Sequence, residues 1–147
     1  MSTKLIAIGN KLMGDDGIAL IVADKIKEKL KDMNIEVIIG ETDFDFCLDF
    51  IDKEDFIILL DSTHFNIEKG SITLLPLDSL YQSKNFFFSH SLSLLHYLLI
   101  YNIKGNFIGI EVENIDFTNR LSPSLYKNLD NICNNVLKIV KYIKADI

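Results

Sequence analysis

Apolar and polar positions fall in blocks along this chain, and their period switches between that of a strand and that of a helix. Lys4–Ile8 is a short apolar run closed by Gly9-Asn10, the pattern of a strand ending in a turn. From Gly17 to Lys31, apolar residues recur at Ile18, Ile21, Val22, Ile26 and Leu30 as one helical stripe, with Asp15 and Asp16 set to cap its start. Glu36–Gly40, rich in β-branched residues, predicts a second strand, and Phe44–Ile51 a short helix turning Phe46, Cys47 and Phe50 inward. Phe56–Leu60 is continuously apolar, as in a strand buried on both faces.

Ser71–Leu75 predicts a shorter strand stopped by Pro76, followed by a surface loop over Asp78–Phe88. Ser89–Tyr101 reads as a helix burying Leu92, Leu95, Leu98 and Leu99. Asn106–Ile110 makes a fifth strand, and Pro123–Lys144 one long closing helix with Pro123 in its first turn. Strands alternating with helices imply an α/β three-layer sandwich: a mostly parallel five-stranded sheet with helices on both faces.

Composition narrows this picture. A chain of 147 residues is expected to form one domain spanning 1–147, large enough to bury a core without disulfides. Hydrophobic residues make up 48%, which excludes intrinsic disorder, yet no apolar run reaches the ~18 residues of a membrane span. No signal peptide is visible, so a cytoplasmic location without membrane insertion is expected. The net charge of −6 argues against a nucleic-acid binder, which needs a basic face. Lysines at 25, 27, 29 and 31 and at 138, 141 and 144 read as solvated helix faces, and Cys47 and Cys133 as buried, reduced thiols.

In an open α/β sheet, ligands bind beyond the carboxyl ends of the strands. The loop Gly9-Asn10-Lys11-Leu12-Met13-Gly14-Asp15-Asp16-Gly17 follows strand one, and Asp61-Ser62-Thr63-His64 follows strand three. Those two strands are neighbours in the common doubly wound orders, so acids from both should meet in one crevice. For Asp15, helix capping is the favoured role; for Asp16, capping and metal ligation fit equally. Asp61 ends a buried strand, where a carboxylate needs a cation or hydrogen-bond donors; bonding to loop amides is its alternative.

His90 opens the helix after Phe86-Phe87-Phe88-Ser89 and would join the two acids in a mixed oxygen and nitrogen site suited to a transition metal. His96, among leucines, reads as structural, and His64 as a weaker ligand. The Phe86–Phe88 run reads as core, or as a docking patch if it faces solvent. There is no GxGxxG, no GxxxxGK[ST] and no GxSxG, and neither cysteine has a nearby histidine, so nucleotide binding lacks its phosphate cradle and the pattern argues against a serine or thiol nucleophile.

The Gly9–Gly17 motif resembles the opening motif of the hydrogenase maturation proteases, endopeptidases that trim the large subunit of nickel-iron hydrogenases. The strand ending in Asp61, Ser89-His90 before a leucine-rich helix, Ile108-Gly109-Ile110, Ile115-Asp116-Phe117 and Leu121-Ser122-Pro123 follow in the family's order. The resemblance implies that Asp16, Asp61 and His90 are the nickel-binding and catalytic residues, while Asp15 matches a neighbouring acid that is not a ligand. It implies a hydrogenase large-subunit precursor as partner, a C-terminal extension as the segment removed, and the precursor's own nickel as the recognition signal, with no organic cofactor. A monomer that docks transiently on its substrate is expected.

One position departs from the family pattern: Gly40-Glu41-Thr42 stands where members usually carry Gly-Gly-Thr or Gly-Gly-Ser. Glu41 restricts φ and adds a carboxylate near the site. Two other readings use the same acids. One is a receiver-type phosphoacceptor domain, against which Glu111 counts, because strand five should there be followed by a phosphate-binding lysine. The other is a non-catalytic nickel carrier.

Overall fold

A computed structural model describes residues 2–80 and 92–147. Five strands form one sheet in the order β2-β1-β3-β5-β4: β1 (Thr3–Ile8), β2 (Ile35–Glu41), β3 (Phe56–Thr63), β4 (Ile72–Pro76) and β5 (Lys104–Glu111). Four strands run parallel, and β4 pairs antiparallel with β5 at one edge. Pro76 is the last residue of β4 rather than its stop, which an edge strand tolerates because one side of its backbone has no ladder to complete.

The helices are α1 (Ile18–Asp32), α2 (Phe44–Leu48), α3 (Leu77–Leu80), α4 (Leu92–Ile100), α5 (Pro123–Lys127) and α6 (Leu129–Ala145). Alternation along the strands divides the core into two layers. Leu5, Ala7, Ile58, Leu60, Ile108 and Ile110 face α1 and α6. Ile6, Ile8, Ile57, Leu59 and Phe107 face α2, α3 and α4. The expected three-layer sandwich with a mostly parallel five-stranded sheet is therefore what forms. Among the described residues, no helix is long and apolar enough to cross a membrane.

Local expectations change in several places. The closing helix is two helices broken at Asn128, whose φ of −94° and ψ of 5° leave the α region. In the short α2, Asp43 caps the first turn by accepting a bond from the Phe46 amide at 3.0 Å, and a single turn buries only one face. That face carries Cys47, with Phe44 and Leu48 beside it; Phe46 is exposed and stacks edge-on against Phe50 at 5.0 Å. Helix α4 buries Leu94, Leu95 and Leu98, leaving Leu92 exposed and Leu99 half-buried. Residues 78–80, expected in a loop, belong to α3.

The lysines at 25, 27, 29, 31, 138 and 141 are exposed, as a solvated face requires, while Lys144 is half-buried and donates to Thr3 Oγ1 at 3.2 Å. Both cysteines are free and buried. Burial pushes the Cys47 thiol up to about 11, with the Asp43 carboxylate adding to the shift, so at neutral pH it is a thiol and not a nucleophilic thiolate.

Candidate functional site

The pairing of β1 with β3 stops one residue short of Asp61. The last β1–β3 pair is Ala7 with Leu60, while β3 continues against β5 through Asp61, Ser62 and Thr63. Asp61 thus lies inside β3 rather than after it, because β5 runs longer than its apolar core and keeps the ladder going. Asp61 is only 3% exposed.

The β1–α1 loop packs at this end of the sheet, bonded to Ser62 and to the end of β2. Gly9 donates its amide to Glu41 O at 3.0 Å, tying the loop to the end of β2. A Cβ on Gly9 would overlap the Asp16 carbonyl, so glycine is what lets the loop fold back over the strand tip. Asn10 starts a turn by accepting from the Leu12 amide at 3.0 Å, and residues Gly14–Gly17 form one 3-10 turn before α1. Gly14, at φ +57°, sits where a side chain would meet Asn114 O at 2.9 Å.

Within this loop the two acids separate. Asp16, half-buried, receives the Asn10 amide on Oδ2 at 2.9 Å and the Ser62 hydroxyl on Oδ1 at 2.8 Å. Asp61 Oδ1 accepts the Ser62 amide at 2.7 Å. Of the two acids expected to converge from strands one and three, Asp16 is bonded by the Ser62 hydroxyl and Asp61 by the Ser62 amide. Asp15 does not cap α1, whose N-cap is Gly17 with no side-chain bond. It is fully buried and accepts from the amides of Glu113 at 3.1 Å, Asn114 at 2.8 Å and Ser122 at 2.7 Å. The 3-10 turn displaces it from the helix start and points it into the loop after β5.

His90 and the Phe86–Phe88 run lie outside the described residues. His64 and His96 are both exposed, so His96 stands on the solvent face of α4 rather than among its leucines. Among the described residues, no group of three or more His, Cys, Asp and Glu is gathered closely enough to hold a metal. Asp16 and Asp61 supply two hard oxygen donors, which suits part of a divalent-cation site.

Three participants went unrecognised in the sequence: Ser62, the Asn10 amide and Glu111. Glu111 ends β5 fully buried, accepts from Thr63 Oγ1 at 2.8 Å and the Phe65 amide at 3.0 Å, and has Lys69 Nζ at 3.9 Å. It holds the chain leaving Asp61. The hydroxyls in Asp61-Ser62-Thr63 were the available signal, since polar residues directly after a buried strand must find partners there. Glu41 takes the left-handed conformation at φ 53°, the backbone a glycine would adopt without strain, and pairs with Lys11 at 3.0 Å.

A sequence model of the family described as hydrogenase maturation protease matches residues 20–139 of the chain. That span contains Asp61 and position 90 but begins after Asp16, whose assignment rests on the Gly9–Gly17 motif. A Methanocaldococcus jannaschii protein provisionally named a hydrogenase maturation protease is 27% identical over 141 residues, covering 92% of each chain. The fold is similar to that of the hydrogenase-maturating endopeptidase HybD from Escherichia coli, with a TM-score of 0.78 at 17% identity over 97% of this chain and 93% of that one. It is also similar to HybD from Thermococcus kodakarensis, described as a [NiFe] hydrogenase maturation protease, with a TM-score of 0.75 at 21% identity over 95% and 99%.

Proposed function

The chain belongs to the hydrogenase maturation protease family, whose members hydrolyse peptide bonds, and on that premise we propose that it removes the C-terminal extension of a nickel-iron hydrogenase large-subunit precursor after nickel has been inserted. The observation that carries this reading is that Asp16, in the turn before α1, and Asp61, near the end of β3, are both bonded to Ser62. In it, Asp16, Asp61 and, from the sequence resemblance, His90 engage the nickel of the precursor. Nickel is here part of the substrate and not a resident cofactor.

Each residue has a defined task. Asp61, inside a paired strand, gives a rigid anchor for the metal and so fixes where the adjoining peptide bond lies. Asp16, on the loop, closes over it. A water attacking the scissile carbonyl is activated by the metal's Lewis acidity or by a carboxylate acting as base, and both routes require the same acids. The carrier alternative uses the same ligands and differs only in leaving the precursor uncut. The receiver alternative meets a buried glutamate, Glu111, at the tip of β5.

The test is tail removal from a purified precursor by Asp61→Asn, Asp16→Asn and His90→Gln. Each variant is expected to lose processing by at least about 100-fold while keeping the wild-type circular dichroism spectrum, consistent with loss of a group that acts in the transition state. Unchanged cleavage in all three would contradict the assignment.

A further inference from the structure

We propose that Ser62 is a positioning residue that sets the two acids of the site against one another, and that its hydroxyl is what holds Asp16 in the orientation of a metal ligand. This rests on the reading of Asp16 and Asp61 as ligands of the precursor's nickel.

The sheet itself works against bringing these acids together. Leu59 faces the layer of α2, α3 and α4, and Leu60 faces the layer of α1 and α6. By strand alternation Asp61 projects to the first side and Ser62 to the second. Asp16 arrives from the second side, on the turn that leads into α1. The two carboxylates therefore come to the strand tip from opposite faces, and Ser62 spans the divide. Its side chain donates to Asp16 Oδ1 at 2.8 Å, and its backbone amide donates to Asp61 Oδ1 at 2.7 Å.

The two acids are not held equally. Asp61 is on a strand paired in register with β5, whereas Asp16 sits in a 3-10 turn and is half-buried. The Asn10 amide fixes Oδ2 of Asp16 from within the same loop, at 2.9 Å. Ser62 fixes Oδ1 from the sheet, so it ties the plane of the loop carboxylate to the frame that carries Asp61. Ser62 is itself 5% exposed and sits opposite Ile110 of β5, so its position is set by the ladder and not by solvent. A partner that orients a ligating carboxylate typically contributes about 10–100-fold in metal affinity.

The experiment titrates the full-length chain with Ni²⁺ by calorimetry, in wild type, Ser62→Ala, Ser62→Thr and Asp61→Asn, with thermal midpoints measured alongside. Ser62→Ala is expected to lose about 10-fold or more in Ni²⁺ affinity while remaining folded with a modestly lower midpoint, and Ser62→Thr, which keeps the hydroxyl, to recover most of the lost affinity. Equal affinity in wild type and Ser62→Ala, including no measurable binding by either, overturns the inference; so does a failure of Ser62→Thr to recover binding while it remains folded. Asp61→Asn separates the two levels. If it loses binding while Ser62→Ala keeps it, only the role of Ser62 falls; if it binds as wild type does, the ligand reading falls as well.

Discussion

Asp15 and Asp16 are neighbours in the chain, yet Asp15 is fully buried with three amides on its carboxylate, whereas Asp16 is half-buried against Asn10 and Ser62. Asp15 works as a staple: it gathers the amides of Glu113, Asn114 and Ser122, and so pins the loop after β5 onto the loop that carries Asp16. Spacing revealed that both acids would stand at the start of α1, and that Asp16 could face Asp61. It did not reveal which backbone would come to Asp15, because those amides lie about a hundred residues later and only the fold brings them there. Asp15→Ala leaves three amides without their acceptor and should cost about 3 kcal/mol or more in urea unfolding, with faster hydrogen exchange at Asn114 and Ser122. A loss under about 0.5 kcal/mol would mean water replaces the carboxylate without penalty.

At the scale of elements, every strand and the longer helices follow from periodicity, and the departures have local causes. The stripe Leu125, Leu129, Ile132, Val136, Val140 and Ile143 continues through the break at Asn128, so hydrophobic spacing alone could not divide α5 from α6. In α4 nearly every residue is apolar, so the sequence allows several stripes, and packing selects Leu94, Leu95 and Leu98. Tyr97 meets Phe44 of α2 edge-on at 6.5 Å, which joins the two helices over the same face of the sheet. Leu98, fully buried, belongs to that layer. Leu98→Ala should lower the unfolding free energy by about 2–5 kcal/mol, read from the urea midpoint at unchanged slope. A loss well under about 1 kcal/mol would place α4 outside the cooperative core.

Across the whole molecule, the two ends of the sheet are organised differently. The carboxyl end carries the acids of the site; the amino end is tied by a buried ion pair between Lys4 and Asp55, 2.7 Å apart, with the Phe56 amide bonded to Ser2 O at 2.8 Å. Burial alone would push the Asp55 carboxyl up, but the Lys4 ammonium and the amides of Asp52 and Ser2 outweigh it and hold it below its ordinary value of 3.8. A depressed carboxylate contributes stability above that ordinary value and loses it as pH falls through the lower folded one. Asp55→Asn should therefore cost about 3 kcal/mol at pH 7, and the gap to wild type should close as urea unfolding is repeated below about pH 4. A gap that stays constant down to about pH 2 would show that the charge of Asp55 is not what ties this end.

The doubly wound pattern, the strand-end acids and the family were legible because each depends on short-range order in the sequence. The Ser62 link and the Asp15 staple were not, because they are made by tertiary approach. The proposed nickel-gated cleavage is tested most directly by intact mass spectrometry of hydrogenase large-subunit precursors. Each precursor is prepared with and without nickel and weighed before and after addition of this protein. Loss of a C-terminal peptide from the nickel-loaded precursor alone is the expected result. A tail that stays on every nickel-loaded precursor of the source organism, or that leaves whether or not nickel is present, would contradict it.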